Sequence, residues 1–310
     1  MDGMSDLLPA AFADRLDAHG PGSAAASLSE AEAFCRAVAA GHGENFPLGM
    51  RLLPRRLRQP MANVYAFCRW ADDLGDEAGD PDESLRLLAW WRDETAACFA
   101  GEASHPIAVA LAETAADFGL DERPFQDLIS AFEQDQRVTA YDTLDQLLDY
   151  CRRSADPVGR IVLRLCEADT AANVALSDQV CTGLQLINFW QDVARDADIG
   201  RRYLPADRMA RHGYTPAMWD ARETNGPLRS LGRELVADAE ARLRAGRELA
   251  AGLRGRMRAV VGSFHRGGLL VARRIRANDF DLWRRPAVSK RDLAGVAASA
   301  SLAALSGARR

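Results

Sequence analysis

The chain has 310 residues, 48% of them hydrophobic and 27% charged, and a formal net charge of -5. That balance excludes an intrinsically disordered chain and a bundle of membrane spans, and it lacks the domain-wide basic excess that nucleic-acid binding needs. No apolar run reaches the roughly 20 residues of a bilayer span, so the expected location is cytoplasmic, with membrane contact only peripheral, at the inner membrane face.

In chain order, residues 1–26 are rich in Ala, Gly, Asp and Ser and end in GPGSAAAS, which reads as a mobile leader. Its acidic start has no basic segment followed by an apolar one, so it does not read as a secretory signal. Residues 27–310 read as one all-α domain. Apolar residues recur at helical spacing over 29–40, 57–77, 81–100, 106–118, 124–136, 144–153, 157–168, 177–196, 227–254 and 257–278, and in an Ala-rich segment after Ser289. Prolines fall at first-turn positions, and no run alternates with the period of a strand. The 6 cysteines are scattered singly and are expected to be reduced.

Two of these helices carry the chemistry. In VYAFCRWADDLGDE, Arg69, Asp72, Asp73 and Asp76 share one face, while Val64, Tyr65, Phe67, Cys68, Trp70 and Leu74 suit burial. In LQLINFWQDVARD, Gln185, Asn188, Asp192 and Asp196 form a second polar line on an otherwise apolar helix. Facing carboxylates at about 4 Å repel by roughly 4 kcal/mol at an effective dielectric near 20, so they would largely protonate or separate unless a cation sat between them, and a divalent metal resolves this. All-oxygen ligands favour Mg2+, which takes few carboxylates and completes its shell with water and phosphate oxygens. The expected substrate therefore pairs a diphosphate with a long apolar tail.

These residues resemble the squalene and phytoene synthase family, whose members carry Arg-x-x-Asp-x-x-x-Asp and Gln-x-x-Asn-x-x-x-Asp-x-x-x-Asp helices. The resemblance runs from about Ser29 to Lys290 and includes GHGENFPLGMRLLP and GRRYLP. It implies a single isoprenoid synthase helical bundle with a central apolar cavity. Asp72 and Asp76 on one wall, and Asp192 and Asp196 on the other, would hold Mg2+ and diphosphate, with Asn188 as a further ligand. Arg69 and Gln185 would bind substrate, and His42, Asn45 and Phe46 would border the pocket. Tyr203 would lie near the leaving diphosphate. A helix-end histidine and a buried structural tyrosine remain the plainer readings of His42 and Tyr203.

Arg153 and Phe280 stand where the family often has tyrosine, and Gln191 stands where it often has arginine. With the Glu44–Pro47 opening, these resemble the hydroxysqualene synthases of hopanoid pathways. That implies ionisation of presqualene diphosphate and water capture, with Arg153 near substrate and a presqualene diphosphate synthase as functional partner. Within the family, joining two farnesyl diphosphates, or phytoene synthesis, is the alternative. A chain-elongating prenyltransferase or terpene cyclase would also use Asp72-Asp73-x-x-Asp76, but Gln191 departs from a second DDxxD. An assembly factor would be expected to lack the carboxylates, and a di-iron bundle would need Glu-x-x-His pairs absent here.

Overall fold

The computed structural model describes residues 12–41 except 24, 53–287 except 254, and 289, 292, 295 and 296. His42, Asn45 and Phe46 lie outside the described residues, as does most of the Ala-rich segment after Ser289. All extended regular structure among the described residues is helical, and the one β interaction is an isolated bridge between Ala140 and Arg202.

Local chemistry sets most of the helix ends. Pro81 and Pro106 open α4 (Pro81–Ala100) and α5 (Pro106–Phe118), where a missing N–H removes no helical hydrogen bond. The His105 ring nitrogen accepts from the Ile107 N–H at 3.1 Å and caps α5. Gly101 and Gly119 stop these two helices in the left-handed region, at φ 78 and 60°. Thr143 and Gln146 form a reciprocal capping box at the start of α7 (Leu144–Ser154).

The chain divides into two compact units. The first, residues 1–137 with 164–167, holds α1 (Phe12–His19), α2 (Leu28–Gly41), α3 (Arg55–Asp76), α4, α5 and α6 (Arg123–Asp135). Its core is aromatic. Phe67 of α3 meets Phe125 of α6 edge-on at 4.9 Å, and Trp70 and Trp91 each lie 4.9 Å from the His105 ring. Such pairs add about 0.5–1.5 kcal/mol each beyond burial. Buried Asn63 is satisfied across α3 and α5 by donating to the Ala110 carbonyl and to Thr114.

The second unit holds α7, most of α8 (Asp156–Leu165), α9 (Ala171–Gln191), α10 (Val193–Asp198), α11 (Ala206–Arg211), α12 (Pro216–Asp220), α13 (Gly226–Gly252) and α14 (Gly255–Ala277). Helix α9 packs along α13 and α14, and α13 packs on α14. The closeness needs small residues. A Cβ on Gly246 would sit 2.5 Å from His265 Cβ, so α13 and α14 approach only because none is there.

Two expectations change. Residues 12–19, read as part of a mobile leader, form α1, with Phe12 and Arg15 buried. Apolar contact with Trp70 and an ion pair hold it, and neither shows in the polar composition of the stretch. The helix expected over 177–196 starts earlier and breaks at Asp192, whose φ of -108° and ψ of 15° separate α9 from α10. Aspartate is a poor interior helix residue because its carboxylate competes for local backbone donors. The backbone ladder nevertheless continues, from Asp192 N–H to Asn188 O and from Asp196 N–H to Asp192 O.

Candidate active site

In the first unit the motif lies on the last turns of α3, and its members differ in surroundings. Asp72 is half-exposed, Asp76 is exposed, and Asp73 is fully buried. Arg69 joins three carboxylates: Asp72 at 3.0 Å, Glu77 at 3.2 Å, and Asp73. Burial works against the Arg69 charge, but Asp73, Asp72 and Glu77 outweigh it and raise its pKa. Asp73 also receives Arg15 of α1, whose Nη2 donates to Oδ2 at 2.9 Å. Thus the structure brings Arg69, Asp72 and Asp73 together, while the buried Asp73 is turned from the water-facing side where Asp72 and Asp76 lie.

In the second unit Gln185 is half-buried, Asn188 is exposed, and Asp192 and Asp196 are half-buried around the helix break. One helical turn separates the two carboxylates. Burial first, and then the Asp192 charge, push Asp196 up to about 6, against the pull of Arg195, Arg201 and Arg285. Arg285, beyond α14, approaches Asp192 Oδ1 at 2.6 Å through Nε, yet that buried oxygen has no aligned hydrogen bond. A half-buried Asp196 that resists ionisation, one turn from a carboxylate already paired with a cation, suits a hard cation as a further partner. Among the described residues no three His, Cys, Asp or Glu side chains converge on one metal position. Pairs suit Mg2+, which draws on water and phosphate for its remaining ligands.

Next to Asn188 on α9, Phe189 stacks on Tyr203 with centroids 3.8 Å apart and planes 11° from parallel. Tyr141 lies 5.9 Å and Tyr150 6.3 Å from the Tyr203 ring, so Tyr203 sits in a buried aromatic group. The 200–207 segment is pinned there by backbone bonds from Arg202 N–H to Thr139 O and from Ala206 N–H to Tyr141 O. Arg153 lies in the last turn of α7 and pairs with Asp149 at 3.3 Å. At the start of α8, buried Asp156 accepts from Thr182 at 2.9 Å and is pushed up to about 7, mainly by burial.

Arg15, Arg285 and the distinct burial of Asp73 are not visible in the motif spacing. Arg15 lies 58 residues from Asp73, and Arg285 lies 93 from Asp192. The two predicted acidic walls belong one to each unit.

Residues 39–292 match the family model described as squalene/phytoene synthase. The chain belongs to the squalene/phytoene synthase family. Prenyl diphosphate chemistry comes with that membership. Among relatives, a phytoene synthase of Arthrospira platensis is 32% identical over 68% of this chain and 71% of its own. A presqualene diphosphate synthase of Rhodopseudomonas palustris is 36% identical, but the match spans 56% of this chain and 62% of that protein. A hydroxysqualene synthase of Sinorhizobium fredii is 34% identical over 66% and 69%. Among solved structures, squalene synthase HpnC from Alicyclobacillus acidocaldarius superposes with a TM-score of 0.78 at 38% identity, covering 82% of this chain and 95% of that one. The isoprenoid synthase fold expected from the motifs is therefore the family's own.

Proposed function

We propose that this chain converts presqualene diphosphate and water into hydroxysqualene and diphosphate. The observation that supports the diphosphate half of this reading is the half-buried Asp192, ion-paired with Arg285 at 2.6 Å and one turn from the reluctantly ionised Asp196. Asp192, Asp196 and Asn188, together with Asp72 and Asp76, are the proposed Mg2+ ligands. Bound Mg2+ would supply positive charge to the departing diphosphate. Arg69 and Arg285 are the proposed donors to phosphate oxygens, a role that the guanidinium fork suits.

The reacting C–O bond breaks heterolytically and its electron pair leaves with diphosphate. After rearrangement, a water oxygen adds to the carbocation and loses a proton, so no reductant is consumed. Phe189, Tyr203, Tyr141 and Tyr150 form a buried aromatic group beside Asn188, and such rings are the proposed wall that tolerates the carbocation through the ring quadrupole. Arg153, Gln191 and Phe280 support the water-capturing type. Gln185, His42, Asn45 and Phe46 remain proposed pocket residues. The proposed setting is cytoplasmic, at the inner membrane face, drawing substrate from a presqualene diphosphate synthase.

The test supplies purified chain with presqualene diphosphate, Mg2+ and oxygen-18 water, with and without NADPH. Labelled hydroxysqualene formed without NADPH is the expected product. Squalene formed only with NADPH would overturn the subtype. Condensation of two farnesyl diphosphates, the reading favoured by the 36% identity with a presqualene diphosphate synthase, would show as presqualene diphosphate from farnesyl diphosphate alone.

A further inference from the structure

Helix α1 reaches the first motif directly. Arg15 is 9% exposed and Asp73 is 0% exposed, and their contact is a 2.9 Å charge-assisted bond. The guanidinium also lies 5.9 Å from the Trp70 ring centroid, and Phe12 packs on the same ring. On its other oxygen, Asp73 meets Arg69. A buried carboxylate is thus held between two cations, one of which is the arginine assigned above to substrate.

The charge accounting decides what Arg15 does. Arg69 already serves Asp72 and Glu77. If it also had to neutralise Asp73 alone, little of its field would remain for a diphosphate. A buried, uncompensated carboxylate draws strongly on its nearest cation, because water does not screen it. Arg15 shares that demand through the other carboxylate oxygen, so that less of it falls on Arg69.

We propose that Arg15 is a positioning residue for substrate binding. Acting through Asp73, it sets how much of the Arg69 charge is free to grip the diphosphate, which makes α1 a working part of the first motif. This rests on the diphosphate reading above.

The experiment measures the affinity of the full chain for inorganic pyrophosphate in Mg2+ by calorimetry, and KM and kcat for presqualene diphosphate. It compares wild type, Arg15→Gln, Arg15→Lys, Asp73→Asn and the Arg15→Gln/Asp73→Asn double variant. Arg15→Gln is expected to weaken pyrophosphate binding and raise KM about tenfold, the scale of one weakened charge-assisted hydrogen bond, with kcat moving less. Arg15→Lys should restore most of the loss. In the Asp73→Asn background, Arg15→Gln should change little, since no carboxylate competes for Arg69. Wild-type pyrophosphate affinity in Arg15→Gln, or an equal loss in both backgrounds, overturns the proposal even if the melting temperature falls. If Arg15→Gln does not fold, the Lys variant and the double variant against Asp73→Asn decide in the same way. A wild-type chain that binds no pyrophosphate removes the diphosphate reading itself, a result distinct from an unaffected Arg15→Gln variant.

Discussion

Asparagine in place of Asp72 or Asp192 keeps the shape of the side chain and removes the charge a cation needs. Each substitution is expected to lower turnover about 100-fold or more while circular dichroism stays unchanged. Full activity in either variant would sink the assignment of that carboxylate. Asp156 makes a different prediction. Its folded pKa of about 7 lies above the ordinary 3.8, so the native state holds a proton that the unfolded chain releases. Stability from this group is complete below about 4 and is lost as pH rises to about 7. Asp156→Asn should flatten that decline, measured as the urea midpoint against pH between 4 and 8. An unchanged slope would show that Asp156 does not titrate in this window. At this scale the motif carboxylates and amides were legible, because helical spacing alone groups them. Arg15 and Arg285 were not, since only folding brings residues so distant in sequence beside Asp73 and Asp192.

Among elements, α4 and α5 could be read to the residue, because Pro81, Pro106, Gly101 and Gly119 mark their ends by backbone chemistry. Elsewhere the reading slipped, even at α12, whose start Thr215 and Pro216 mark. The short α11 and α12 have too few turns to show a period, and α1 owes its place to contacts with α3. The break at Asp192 was hidden because apolar residues keep their helical rhythm across it. Contact between α13 and α14 supplies the prediction for this level. Gly246→Ala puts a methyl group where His265 Cβ lies 2.5 Å away, so the helices must part. Overpacking of this kind costs about 1–3 kcal/mol. The expected result is a lower melting temperature with the spectrum still helical, and a melting temperature at or above wild type would contradict the packing.

For the whole molecule, the proposed metal dependence gives a direct check. EDTA should stop product formation and added Mg2+ should restore it, because the candidate site offers only oxygen ligands. Turnover by metal-free enzyme would refute the ligand assignment. The thiols make the folded state itself observable. Burial pushes Cys35, Cys68, Cys98, Cys151 and Cys181 up to about 12, and Cys166 up to about 11. At pH 7 a thiol of pKa 12 is thiolate about one part in 100,000, and only thiolate reacts with alkylating agents. Each cysteine is therefore expected to alkylate much more slowly than an open thiol until its surroundings open. Alkylation followed by mass spectrometry would then time the opening of each neighbourhood, with Cys35, Cys68, Cys98 and Cys166 reporting on the first unit and Cys151 and Cys181 on the second.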